Sequence, residues 1–508
     1  MISVPTNKRQ KIMQLLSQKA LSVINAGLSY SREAVQPGIL HFSTGNFHRA
    51  HQCSYYHDLF VHAAETDDEE LFRWGIVGAS TRDGSYEKLR PDMEKQDYLY
   101  ALVETDDDTT NTLVIGSIID MLPYADDHQP IKDRLQDEDS KVVSMTVTEG
   151  GYFLDDSTGE FDKDAEPMKH DAENPDDPQS VFGLIVQALK KRRDNGKKPF
   201  TIMSCDNVPQ NGAVCKQTTL GLAKLIDEKL ADWIDKNVAF PCSMVDRITP
   251  APTDDLRDSV DLDYQDEATI FCEPFRQWVI EDKFCQDKPP LDKVGARFVD
   301  DVTPWEEAKL RILNAGHASL CYPAHLLGME FVDEAMKNDI IPKFLKKVQD
   351  TEILPHVPDV PDTDLKDYAE TIRKRYSNSK LSDSIARNCE NGSDRQPKFI
   401  IPTIRDCIKK DGDNACIDGL ATVSAMWCKY CMGKTEDGEE FEVSDEKLEE
   451  LQEAAKKAKD DPAAWLSLES VYGDLGDNKK FQESFKKALQ TCMDEGVEAA
   501  MKNYVESN

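Results

Sequence analysis

Three short apolar runs constrain the fold most, because each stops abruptly on polar residues. Residues 141–148 halt at Glu149-Gly150-Gly151, residues 200–205 at Asp206-Asn207, and residues 240–245 at Asp246-Arg247. Runs this short and this continuously apolar read as strands buried on both faces. A helical stretch over about 180–193, closed by Gly196, separates the first two. Strands alternating with helices predict an open α/β sheet, which takes ligands beyond the carboxyl ends of its strands. Glu149, Asn207 and Asp246 are therefore candidates to face one crevice. Each alone serves equally well as a turn or cap residue; the three together favour the crevice.

The same alternation begins earlier. Residues 38–42 form an apolar run that enters Ser43-Thr44-Gly45, and residues 46–60 continue with helical character. Residues 74–79 read as a second strand and 113–119 as a third. The acidic, proline-containing stretch 155–177 lacks a periodic apolar face and reads as a surface loop. From about residue 301 the pattern turns helical, with Pro304 near a helix start. A single tetratricopeptide-like segment near the end has no second copy, which excludes a repeat scaffold. The expectation is an α/β chain of two domains. Residues 1–300 carry the alternation of strands and helices, and residues 301–508 are mainly α-helical.

Composition narrows the partners. The 508 residues carry a formal net charge of -34, a field that repels nucleic acid and anionic membrane. No run of about 18 apolar residues predicts a membrane span. The N-terminal segment is polar, amphipathic and basic in its first dozen residues. It lacks a secretory leader's apolar core, and a transit-peptide reading stays open. The 13 cysteines follow no framework, so reduced thiols in the cytoplasm are expected. The one Cys-x-x-Cys, Cys428 and Cys431, lies in an apolar helical stretch and reads as packing.

Three constellations carry chemistry. A dinucleotide pyrophosphate needs backbone N–H groups at a helix N-terminus, and glycines that permit close approach. The first turn offers Ser43, Thr44, Gly45, Asn46 and Phe47, with one glycine of the three expected. The second constellation is Lys309, Asn314 and His317. At about 100° per residue their offsets place all three within about 140° of one helix face. A lysine in a desolvated cleft can serve as a base near neutral pH, and an amide can stabilise a developing alkoxide. A snorkelling lysine and a capped histidine are the ordinary alternative. The third gathers Arg387, Arg395 and Lys398; the guanidinium forks of the two arginines suit polyhydroxylated or anionic ligands, and a salt-bridged loop explains the cluster equally.

These residues resemble a known family. The stretches from His41 to Gln52, Ser204 to Gly212, Val245 to Pro250 and Glu273 to Trp278 are similar to those of the long-chain polyol dehydrogenases. So are the Lys309–Asn314–His317 spacing and Tyr472-Gly-Asp-Leu. The resemblance runs from about residue 37 to about 490. It implies that residues 1–300 form a Rossmann-like dinucleotide-binding domain and residues 301–508 a mainly α-helical substrate-binding and catalytic domain. It further implies a metal-independent, NAD-dependent enzyme that interconverts a polyol and its ketose by hydride transfer, with D-mannitol and D-fructose as the leading pair. D-Arabinitol or a uronate such as fructuronate is the alternative substrate, and a non-catalytic dinucleotide-binding scaffold the alternative outside enzymes.

The resemblance further implies Lys309 as general base and Asn207 with Asn314 as alkoxide-stabilising amides. His317 would orient substrate, and Glu149 would link the lysine to solvent protons. Asp246, Arg387 and Arg395 would contact substrate hydroxyls, Arg395 standing where the family often has lysine. His48 and His51 fall inside the family's turn–helix motif and are assigned no metal. Two departures stand out. Ser43 replaces the first glycine, which a small residue tolerates if its backbone angles are ordinary. After the second strand Asp83 is the candidate for the ribose hydroxyls of NAD, while Arg82 suits the 2′-phosphate of NADP. A monomer acting on a small molecule is expected.

Overall fold

The computed structural model describes residues 13–507 except 23, 25, 26, 126, 156 and 157. The basic N-terminal dozen, with its transit-peptide reading, lies outside them. The chain divides into two compact units, Met1–Val302 and Thr303–Asn508.

Among its described residues the first unit has eleven strands. They are β1 (Pro37–Phe42), β2 (Gly75–Ala79), β3 (Tyr100–Thr105), β4 (Thr110–Ile115), β5 (Ile118–Met121) and β6 (Val142–Met145). The rest are β7 (Thr201–Ser204), β8 (Ser243–Asp246), β9 (Ile270–Cys272), β10 (Gln277–Glu281) and β11 (Arg297–Val299). Five make a wholly parallel sheet in the order β5-β2-β1-β6-β7. Side chains alternate between its faces, and both faces are sealed. Ile39, Ile76 and Val142 enter one apolar cluster, and Leu40, Phe42, Val77 and Val143 enter the other. At about 1.5–3 kcal/mol for each fully buried large aliphatic or aromatic side chain, this explains why these runs are apolar throughout. The strand order reverses beside β1, so the switch point lies between the carboxyl ends of β1 and β6.

Three expectations need correction. Residues 113–119 are not one strand. The chain breaks at Gly116-Ser117, sending β4 to an antiparallel hairpin with β3 and β5 to the edge of the parallel sheet. Residues 155–177 are not only loop: Glu166–Glu173 is a helix that buries Met168 and Asp171. Asp171 accepts from the backbone N–H of Gln179 and Ser180 at 2.7 and 3.0 Å, and so anchors the start of the following helix, Val181–Asp194. The third correction concerns β8, which is not in the parallel sheet. It pairs antiparallel with β10, although the Ser243 hydroxyl donates to Ser204 O at 2.7 Å and moors it to β7.

Motifs that carry the resemblance prove to be braces. The guanidinium of Arg247 is fully buried. It donates to the carbonyls of Glu273 (2.9 Å) and Ala50 (2.7 Å) and pairs with Glu104. Arg276 pairs with Asp58 and lies 4.2 Å from the Tyr55 ring centroid. Trp278 packs against His51, Tyr55 and Tyr56. These contacts fasten the helix Gln52–Thr66 to two small sheets.

The second unit is helical, with only isolated bridges among its described residues. Its first element runs continuously from Thr303 to Leu326 and contains a π-helical stretch, Lys309–Asn314. Cys428 and Cys431 are fully buried, and burial pushes both thiols well up. All thirteen cysteines are free. No helix among the described residues is long and apolar enough to cross a membrane.

Replacing Arg247 by Met leaves Glu104 without its ion-pair partner and the Glu273 and Ala50 carbonyls without the guanidinium donors. Stability measured by urea unfolding should fall by about 3 kcal/mol; a loss within 0.5 kcal/mol or so, typical of surface changes, would remove Arg247 as a brace.

Candidate functional site

In the first unit the candidates other than Asp246 follow the carboxyl ends of the parallel strands. The β1 turn departs from expectation: Ser43 has φ +70°, so its angles are not ordinary. It occupies the left-handed region where glycine is favoured, at a cost of about 1–2 kcal/mol. The turn is held regardless. Ser43 N–H donates to Ala79 O at 2.9 Å, and Gly45 N–H and the Thr146 hydroxyl donate to Ser43 O at 2.8 and 2.9 Å. Gly45 then starts the helix Asn46–Ala50 without a side-chain cap.

The turn fits a dinucleotide. A Cβ on Gly45 would meet only Ser43 O, at 4.0 Å, so a phosphate can approach the backbone. The Thr44 hydroxyl is buried without a hydrogen-bond partner. A Cβ on Gly78 would stand 2.5 Å from it, so this glycine in β2 is what admits Thr44. The Asn46 side-chain oxygen is engaged by Arg49 at 3.0 Å, and the Phe47 ring stacks on His51 at 5.1 Å. Asp83 is exposed and accepts from the Gly84 N–H at 2.8 Å; Arg82 is exposed too.

Beneath this turn lies a histidine network that sequence reasoning left aside. The His41 and His48 rings stack at 3.4 Å and 11°. His41 bonds to the hydroxyls of Ser144 (2.8 Å) and Thr146 (3.1 Å). His48 bonds to Gln52 (3.2 Å), Gln52 to His51 (2.9 Å), and His51 to the Gln277 carbonyl (2.8 Å). Burial, chiefly, pushes His41 well below its usual range and both His48 and His51 down to about 3. Among the described residues no three His, Cys, Asp or Glu side chains cluster as a metal site requires.

Glu149 and Asn207, at the ends of β6 and β7, are both exposed. Asp206, next to Asn207, reaches across to the neighbouring strand end. It accepts from the N–H groups of Val147 and Thr148, each at 2.9 Å, and from the Tyr152 hydroxyl at 2.6 Å. Burial pushes its carboxyl up, against the pull of those three donors. Asp246, the last residue of β8, is buried opposite Gln277. The three strand-end residues therefore belong to two sheets rather than one.

In the second unit Lys309, Asn314 and His317 lie on one continuous helix, but the uniform 100° step does not hold across its π stretch. Side chains from elsewhere donate to two carbonyls in that stretch: Tyr376 Oη to Leu313 O at 2.5 Å, and Gln349 Nε2 to Ile312 O at 3.2 Å. A Cβ on Gly316 would sit 2.6 Å from Tyr376 Oη, so the glycine after Asn314 is what lets that tyrosine in. Lys309 is 8 % exposed. The Asn314 Oδ1 is buried without a partner, a cost of about 1–3 kcal/mol unless a ligand answers it.

His317 stacks against Tyr376 at 4.5 Å and faces Asp383, Nε2 to Oδ2 3.7 Å. Asp383 also holds Arg387 at 3.0 Å and Asn388 at 3.2 Å. Burial raises the Asp383 carboxyl, but His317 and Arg387 outweigh it and hold it down. Arg387 and Arg395 stand on two short helices, Ile385–Cys389 and Gly392–Phe399, rather than in a loop. Arg395 donates to Asn388 O at 2.7 Å. Asp383 and Asp206 are buried carboxylates, each bonded to more than one neighbouring group, that sequence reasoning missed. Their only sequence signal is adjacency, Asp206 before Asn207 and Asp383 one helical turn before Arg387.

A family model described as Mannitol dehydrogenase Rossmann domain matches residues 37–293, and one described as Mannitol dehydrogenase C-terminal domain matches residues 301–493. A mannitol 2-dehydrogenase of Cereibacter sphaeroides is 42 % identical over 94 % of this chain and 98 % of its own. A polyol:NADP oxidoreductase of Gluconobacter oxydans is 36 % identical over 93 % and 96 %. Among solved structures, the Pseudomonas fluorescens mannitol 2-dehydrogenase ternary complex with NAD and D-mannitol superposes with a TM-score of 0.87 at 36 % identity, covering 97 % of this chain and all of that one.

Two outcomes follow from the first unit. Ser43→Gly should raise stability by about 0.5–1 kcal/mol in urea unfolding, because the left-handed penalty exceeds glycine's extra unfolded entropy. A decrease would show that the serine is not strained. The histidines predict acid sensitivity. Unfolded, they bind protons below about pH 6.5; folded, His48 and His51 stay neutral down to about 3. Stability is therefore lost as pH falls below 6.5, by up to about 1.4 kcal/mol per pH unit for each ring. Unfolding free energies at pH 6.5 and 5.5 test this; equal values would mean that the rings accept protons inside the fold.

Proposed function

Because the chain belongs to the mannitol dehydrogenase family, we propose that it interconverts D-mannitol and D-fructose by metal-independent, NAD-dependent hydride transfer, with Lys309 as the general base. The observation that carries this reading is the buried Lys309 at the start of a π turn that also ends in Asn314, whose amide oxygen lacks a partner. A lysine short of water and an amide short of a donor suit an alcohol that must lose a proton. The likeness to a protein solved with NAD and D-mannitol supports the substrate.

In this reading Lys309 takes the hydroxyl proton as the carbinol carbon gives up hydride, and returns it when the ketose is reduced. Asn207 and Asn314 donate amide N–H to the charge developing on oxygen. Glu149 exchanges the proton with water. His317, oriented by Asp383, holds a neighbouring hydroxyl, and Asp246, Arg387 and Arg395 hold others. Ser43, Thr44, Gly45, Asn46 and Phe47 would hold the pyrophosphate, and Asp83 the ribose. The nicotinamide supplies only the hydride acceptor.

Thirteen free thiols support a reducing, cytoplasmic setting. Only Met13 and Leu225 are exposed large apolar side chains among the described residues, which supports a monomer. A second reading replaces NAD by NADP. The exposed Arg82 and the NADP-named relative favour it.

Lys309→Ala should lower kcat for fructose reduction by at least about a hundredfold while NADH still binds, as read by fluorescence titration. Retained turnover would remove Lys309 from the chemistry. A panel of fructose, xylulose and fructuronate with NADH and NADPH, followed by nicotinamide absorbance, decides substrate and cofactor together. Activity only with fructuronate would replace the mannitol reading.

A further inference from the structure

We propose that Asp206 is a positioning residue whose carboxylate sets the turn bearing Glu149 against the turn bearing Asn207; this rests on the roles read above for those two residues. Two independent observations carry it. The first is connectivity. Asp206 ends the β7 run immediately before Asn207, yet its carboxylate accepts hydrogen bonds from the end of β6: Val147 N–H on Oδ2 and Thr148 N–H on Oδ1, each at 2.9 Å. The Tyr152 hydroxyl closes the far side of the same turn on Oδ2 at 2.6 Å and touches Ser204 Oγ at 2.5 Å. Asn211 Nδ2 holds the Asp206 carbonyl at 2.9 Å and Ser243 O at 2.7 Å, which fixes the Asp206 end.

The second observation is backbone strain at the residue before Glu149. Thr148 has φ +67° and ψ 169°, a region almost reserved for glycine and most unfavourable for a β-branched side chain. Phe153, just past the same short turn, is left-handed at φ +52°. Such a segment persists only when its surroundings over-determine it. Asp206 supplies that restraint from one side, and the Thr218 hydroxyl, bonded to Tyr152 O at 2.7 Å, supplies it from the other. The chemistry asks for a carboxylate here. All three of its partners are donors, so an amide would turn its own N–H against one of them. Glu149 itself is exposed, and the bond from the preceding Thr148 N–H fixes the direction in which it leaves the turn.

The test uses the full chain and four substitutions: Asp206→Asn, Tyr152→Phe, Glu149→Gln and Thr148→Gly. Fructose reduction by NADH is measured across pH, and NADH affinity by fluorescence. Asp206→Asn should lower kcat by at least about tenfold, leave NADH affinity within about twofold and change the pH profile as Glu149→Gln does. The Glu149→Gln/Asp206→Asn pair should be no slower than Glu149→Gln alone, because both act through one group. Adding Thr148→Gly to Asp206→Asn should recover part of the loss, since a glycine holds that conformation without restraint. Tyr152→Phe, which spares both backbone bonds, should give a smaller change in the same direction and serves if Asp206→Asn does not fold.

Strictly multiplicative losses in the pair, or no recovery with Thr148→Gly, would overturn the proposal. A Glu149→Gln enzyme with the wild-type pH profile would overturn the relay reading instead. In that event a slow Asp206→Asn enzyme keeps the positioning role, exerted on Asn207, and a fast one ends it.

Discussion

Both faces of the parallel sheet are sealed by apolar side chains, and this constraint governs the rest of the first unit. A sheet closed on both faces leaves polar groups only its strand ends, where backbone N–H and C=O run out of ladder partners. Ser43 and Thr44 leave β1 there, Glu149 follows β6, and Asn207 follows β7. The reversal of strand order separates the connections beside β1 and opens room at that end. What stands in that room is then decided by short side-chain bridges between neighbouring strand ends, such as Thr146 to Ser43 and Asp206 to Thr148.

The motifs that mark the family divide by physical task. Some bear the chemistry proposed for the chain, but many brace it. Arg247, Glu273, Arg276 and Trp278 join the helix Gln52–Thr66 to two small sheets through buried charge-assisted bonds and ring contacts. His41, His48 and His51 form a neutral polar column under the β1 turn. Five of the six ring nitrogens in the column are hydrogen-bonded, to hydroxyls, an amide and a carbonyl, which leaves His48 Nε2 without a partner.

How much of this was legible depends on whether the signal was local. The strands of the parallel sheet were readable because an apolar run that stops at Glu149 or Asp206-Asn207 leaves few alternatives. The helical second unit was readable from periodicity. The split of 113–119 at Gly116 was not, because a continuous apolar stretch does not say which sheet it joins. Asp171, Asp206 and Asp383 were hidden by composition: in a chain with 95 acidic residues, a buried carboxylate looks like surface. The positive φ of Ser43 was hidden because a serine in a glycine's place suggests a relaxed turn, whereas the backbone kept the glycine conformation.

The π turn over Lys309–Asn314 gives the second unit a property that neither its residues nor its burial conveys. Such a turn holds one more residue than the α-helix around it. Loss of a single codon there would regularise the helix and swing every later side chain on it to a new bearing, His317 first. Surface loops of homologues drift freely in length; this stretch has no such freedom, and its residue count is as much a part of its design as its residue identities.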